Sequence, residues 1–91
     1  MAVYVDSLRD HGWRHGPSCH LIADTVDELV EFAVGMGLRP EWFQPKSSPH
    51  FDLTEEGRKL AIQHGAVEVN QRELIAILRR IRAANKKGDF E

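Results

Sequence analysis

The sequence predicts an α/β domain, a small and mostly parallel sheet covered by three helices. Two observations carry that expectation. Short stretches near 2–5 and 66–69 have strand character, and between and after them apolar residues recur at i, i+3, i+4 and i+7. Each helical stretch is also opened by a capping residue, Thr25, Thr54 or Asn70.

Ala2–Val5 reads as a strand, with Val3 and Val5 on one side and Tyr4 and Asp6 on the other. Ser7–Ala23 then reads as a long polar loop marked by Gly, Pro and Ser. A helix over 25–36 follows. Thr25 and Glu28 form a capping box, with Asp24 as an alternative cap. Val26, Leu29, Val30, Ala33 and Met36 form its buried face. Gly37 stops it and Pro40 prevents its resumption.

Residues 37–53 read as a second long loop containing two short extended stretches, 41–44 and 50–53. In the latter, Phe51 and Leu53 face the core while His50 and Asp52 share the opposite face. Pro45–Pro49 is a turn. A second helix spans 55–64, with Leu60 and Ala61 inward and Gly65 as its stop. The strand at 66–69 leads into a third helix over 71–85, with Leu74, Ile75, Ile77, Leu78 and Ile81 on a wide apolar face. Arg79, Arg80, Arg82, Lys86 and Lys87 load its C-terminal end as a solvated face, and 86–91 is expected to fray. If the strands at 2–5 and 66–69 are parallel neighbours, ligands bind beyond their carboxyl ends. That puts Asp6, Asn70, the 7–23 loop and the start of the first helix on one rim.

Ninety-one residues make one domain. A chain this short buries only about 60–65% of its unfolded surface, so a homodimer is expected on size. Residues 1–53 carry four Lys/Arg against eight Asp/Glu, and residues 54–91 carry eight against six. Neither half has the basic excess of a nucleic-acid grip. The single cysteine, Cys19, excludes an internal disulfide framework. No secretory signal and no apolar run of membrane-spanning length is present, so a cytoplasmic location is expected.

Four segments in order, YVDSLRDHGWRHGPSCHLIAD, EWFQ, PHFDLTEEGRKLA and HGAVEV, resemble the bacterial and phage domain-of-unknown-function family number 4031, over about residues 2–70. The resemblance implies no activity. It implies that the family's recurring polar positions fall on Asp6, His20, Asp24, Trp42, Gln44, His50, Asp52 and Arg58, with His11 and His64 outside them.

Four chemistries fit these side chains. Cys19, His20, His50 and Asp52, with Asp6 nearby, are ligand types for a divalent ion. No CxxC, HExxH or Cys/His knuckle is present, so a metal is not the favoured reading; His20, His50 and Asp52 are the set that would hold one. For acid–base chemistry, His20 would titrate near neutral pH beside Asp6, Asp24 or Asp52, with His50 as a relay partner. For anion binding, the helix starts near Thr25 and Thr54 follow the two polar loops, Arg14, Arg58 and the Gly-Pro-Ser run could add donors to a phosphate, and Trp13 and Trp42 could stack on a base. For DNA binding, 58–82 superficially resembles a helix-turn-helix opened by Asn70-Gln71-Arg72.

The favoured expectation is a site for a phosphate-bearing small molecule such as a nucleotide, with hydrolysis as its reaction where one is catalysed. Asp6, His20, His50 and Asp52 form its reactive core, and Arg14, Trp42, Gln44 and Arg58 contact the ligand. DNA binding through 58–82 and a non-catalytic dimeric interaction module are the alternatives.

Overall fold

The computed structural model describes residues 2–10, 12, 14, 16–45 and 48–88. In chain order the elements are β1 (Val3–Val5), β2 (Ser18–Ala23), α1 (Val26–Gly35), a 3₁₀ turn at Pro40–Trp42, β3 (Phe51–Thr54), α2 (Glu55–Gln63), β4 (Val67–Glu68) and α3 (Gln71–Gly88). The three expected helices are present, and α3 runs three residues further than the 71–85 expectation. Residues 89–91 lie outside the described residues. Residues 41–44 form no strand: the 3₁₀ turn ends at Trp42, and Gln44 makes an isolated bridge to His50.

The four strands form one sheet in the order β3-β2-β1-β4. The expected parallel pairing of β1 with β4 is present, Tyr4 opposite Val67 and Val5 opposite Glu68. It is the single parallel pair among the described residues. β1 with β2 and β2 with β3 are antiparallel, so the sheet is mixed and mostly antiparallel rather than mostly parallel. The difference comes from β2, which occupies the last third of the stretch read as a loop. Its Gly-Pro-Ser-Cys-His approach is loop-like in composition, and Leu21, Ile22 and Ala23 are all buried. A central strand covered on both faces lacks the polar/apolar alternation that marks a strand with one wet face.

Strand side chains alternate between faces, and the register sorts them. Val5, Cys19, Leu21, Phe51 and Leu53 point to one side and join Leu29, Ala33 and Met36 of α1 and its end, and Ala61 of α2, in the main core. Tyr4 and Ile22 point to the other side, where Leu74, Ile77 and Ile81 of α3 cover them. The sheet is thus sandwiched between α1 with α2 and α3. The amphipathic expectation is largely met, but Val26, Leu60 and Ile75 are exposed; α2 instead half-buries Ile62 against the core.

Local signals close the helices as their chemistry dictates. The Thr25 hydroxyl accepts from Glu28 N–H at 3.2 Å, and Thr54 accepts from Gly57 N–H at 3.1 Å. Asn70 and Glu73 form a reciprocal box: Glu73 N–H donates to Asn70 Oδ1 at 2.8 Å and Asn70 N–H to Glu73 Oε1 at 2.9 Å. Gly37 and Gly65, at φ 97° and 106°, take the left-handed turns after α1 and α2.

Because β2 runs against β1, Ala23 ends opposite Val3. The start of α1 therefore lies at the far rim from Asp6 and Asn70, not beside them. Asp24 acts there as a latch, accepting from Ala2 N–H, the Tyr4 hydroxyl and Arg80. The cap of α1 is Thr25. Among the described residues, no helix is long and apolar enough to cross a membrane.

Candidate functional site

α3 covers the part of its sheet face that carries Tyr4 and Ile22. The rest of that face is polar. Asp6 follows β1, His20 lies on β2 opposite Asp52 of β3, and Asp6 N–H donates to the His20 carbonyl. One rung across three strands therefore reads Asp6, His20, Asp52. His50 precedes β3 by one residue and is held by two backbone hydrogen bonds to Gln44, at 2.9 and 3.0 Å. Same-face neighbours across a ladder are close enough to touch: the His20 and His50 rings meet edge to face with centroids 5.4 Å apart. The site sits on the sheet itself, not in two long loops.

Asp6 is 4% exposed and binds His20 twice. Oδ1 accepts the His20 backbone N–H at 2.6 Å and Oδ2 faces ring Nδ1 at 2.8 Å. Burial pushes the Asp6 carboxyl up, but these hydrogen bonds outweigh it and hold the group below its ordinary value. The same contact to Asp6 raises His20, against the opposing effect of burial. An ionised carboxylate can only accept, so Nδ1 carries the proton and the neutral ring has its lone pair on Nε2.

His50 is oriented in the same way by a different group. Its Nδ1 lies 2.8 Å from the carbonyl of Ser48, again an acceptor only. Its Nε2 lies 3.6 Å from Asp52 Oδ1. The other oxygen of Asp52 accepts from Gln44 Nε2 at 2.5 Å. One donor atom from each of His20, His50 and Asp52 lies within 4.8 Å of the others. Each donor is aimed by a partner of its own: Asp6, the Ser48 carbonyl and Gln44.

Of the residues expected at the site, Asp6, His20, Gln44, His50 and Asp52 come together. Trp42 is exposed and lines a separate open groove of about 680 Å³ with Leu38, Phe43 and Leu53, reached by Gln44 and Asp52 from the site. Arg58 serves the scaffold: Nε donates to the Asp6 carbonyl at 2.8 Å and Nη2 pairs with Glu68 at 3.2 Å. Arg14 is exposed in the turn before β2. His64 caps α2 and meets Phe32 edge to face, away from the site. His11, Trp13 and His15 lie outside the described residues.

Two residues went unnoticed in the sequence. Ser48 is buried and orients His50 through its carbonyl, while its hydroxyl accepts from Arg82 Nε at 2.9 Å. Arg82 had looked like part of a solvated basic end. The available signal was the 74–78–82 spacing, which puts it on the face of α3 that carries Leu74 and Leu78.

Cys19 points into the main core, away from His20, and is 1% exposed. Burial first, and then the nearby Asp6 charge, push its thiol up to about 12. Native protein is therefore expected to resist a disulfide-exchange reagent at pH 8, and to react stoichiometrically once denatured. Rapid labelling of the native fold would contradict this placement.

Segment 58–82 is not a helix-turn-helix. α2 and α3 pack on opposite faces of the sheet with β4 between them, so the third helix is not presented as a recognition helix by the second.

A family model described as "Protein of unknown function (DUF4031)" matches residues 3–81. No curated protein and no solved structure matches the chain.

Proposed function

The chain belongs to the DUF4031 family, whose description carries no activity, and from the geometry of its polar face we propose that it is a divalent-metal-dependent domain for an oxygen-bearing ligand. His20 Nε2, His50 Nε2 and Asp52 Oδ1 are the metal donors. The observation that carries the reading is that both imidazoles have Nδ1 turned to an oxygen acceptor while their partner carboxylate is held by Gln44.

Outer partners of this kind fix the tautomer and orientation of metal-binding histidines. Zinc bonds of about 2.0–2.2 Å fit the triangle after side-chain movements on the order of 1 Å. Charge supports the same reading. Metal ligation takes both imidazoles in their neutral form, and with the carboxylates of Asp6 and Asp52 the donor set and its orienting group then carry a formal charge of −2, which suits a divalent cation. No linear motif is needed to bring the three together: the ladder sets Asp52 opposite His20, and His50 lies two residues before Asp52 on the same side of the extended chain.

Three protein ligands leave room for a water or a substrate oxygen, the arrangement of hydrolytic zinc sites. A bound divalent ion supplies a water of lowered pKa and polarises the oxygen it holds. A phosphate-bearing small molecule fits such a centre by bonding to the metal, which removes the electrostatic objection to placing an anion beside two carboxylates.

The test is a thermal melt of untagged, chelator-stripped protein with zinc, manganese, iron(II), cobalt or nickel. One metal at about 100 times its Kd stabilises by about 2.7 kcal/mol, which for a domain this size raises Tm by roughly 10–20 °C. The His50→Ala variant should fold and lose the rise. If none of the five metals moves Tm, or if His50→Ala responds as fully as the parent protein, the reading is wrong.

A further inference from the structure

Beside the two histidines lies a small cavity of about 170 Å³ lined by His20, Ile22, Ser48, His50, Leu74, Leu78 and Arg82. Its composition is divided. Ile22, Leu74 and Leu78 make an aliphatic floor, and the remaining residues make a polar rim. Arg82 is the cation of that rim. Arg58 and Arg80 are matched with Glu68 and Asp24, whereas Arg82 has no carboxylate partner among the described residues and gives only its Nε to the Ser48 hydroxyl.

From this arrangement we propose that the ligand is a small phosphate monoester with a short aliphatic body. The phosphate would bind at the ion that His20, His50 and Asp52 would hold and would accept from the outer nitrogens of Arg82, with the alkyl group on Ile22, Leu74 and Leu78. This rests on the metal reading above and names the substrate class of that same site.

Three physical arguments select this class. A divalent ion cancels the formal −2 of Asp6 and Asp52, so Arg82 leaves the pair of sites cationic and able to take an anion. A phosphate has three terminal oxygens and can be shared by a metal and a planar guanidinium at once; a carboxylate has only two oxygens to divide between them. The cavity lies well below the roughly 300–1,000 Å³ of sites that enclose drug-sized ligands. It therefore has room for a head group and a few carbons, and is too small to enclose a nucleoside. The nucleotide expected from the sequence is narrowed accordingly.

Calorimetry on zinc-loaded protein tests the proposal with four probes: inorganic phosphate, propyl phosphate, propionate and adenosine monophosphate. Propyl phosphate should bind about tenfold tighter than inorganic phosphate because its chain is buried, and tighter than propionate or the nucleotide. Arg82→Gln should weaken propyl phosphate by about tenfold or more, beyond any change in zinc affinity. Leu78→Ala should erase the preference for propyl phosphate over inorganic phosphate while both still bind.

Zinc binding without phosphate binding overturns this inference and leaves the metal reading standing. So does tightest binding by the nucleotide or propionate, or propyl phosphate affinity unchanged in Arg82→Gln. Failure of zinc itself to bind removes both.

Discussion

Asp6→Asn is expected to lower zinc affinity by about 10–100-fold while the domain still folds. The substitution changes one atom and almost no volume. The retained amide oxygen can still accept the His20 backbone N–H that Asp6 accepts at 2.6 Å. The amide nitrogen then faces ring Nδ1, where the carboxylate stood at 2.8 Å. A donor opposite Nδ1 selects the other tautomer, with the proton on Nε2 and no lone pair for the metal. The measurement is a competition titration with a chromophoric zinc chelator, accompanied by circular dichroism of the apo variant. An apo variant with native ellipticity and unchanged zinc affinity would remove Asp6 from the positioning role.

Phe51→Ala should cost about 3–5 kcal/mol, the largest effect of a single side chain on stability in this domain. Phe51 is fully buried at the centre of the main core, opposite Leu21 in the ladder, with Phe43 tilted against it at 5.8 Å. A small domain has about 5–15 kcal/mol in total, so the variant would keep a fraction of its stability. At about 4–8 °C per kcal/mol for a domain of this size, Tm should fall by roughly 12–40 °C. Urea denaturation of apo protein measures it without metal linkage. Val34→Ala, on the exposed side of α1, is the control and should stay within about 0.5 kcal/mol. Equal losses in the two variants would mean that the core has been misplaced.

The helices were legible because their signals are local. Thr25 bonds with Glu28 as their spacing promised, Asn70 caps its helix as its residue type promised, and Leu74, Ile77 and Ile81 lie on one buried face. The pairing of His50 with Asp52 was legible too, since two residues on an extended chain share a side. β2 was not legible, and its loss propagated. Without it His20 reads as a loop residue, the sheet as mostly parallel, and the start of α1 as lying on the rim of Asp6.

The residues of the candidate site divide along the same line. Asp6, His20 and Asp52 could be suspected by residue type, but only the pairing of three strands shows that they form one rung. Ser48 contributes mainly through a carbonyl, which every residue has, so no sequence signal could single it out. Arg82 was hidden by its neighbours: Arg79 and Arg80 make it look like one of a set, although only its position follows the Leu74–Leu78 stripe.

The strand pairing that places Asp52 opposite His20 also places Leu53 opposite Cys19 and Phe51 opposite Leu21. Chemistry and packing are consequently written in a single alignment of β2 with β3. A slip by one residue would turn Phe51 and Leu53 to the polar face and Asp52 into the oil. Neither half can be mis-set while the other survives. A correctly assembled cluster of His20, His50 and Asp52 is, for this chain, also a proofread fold, and under the metal proposal loading with metal would report the fidelity of strand alignment as directly as any probe of the core.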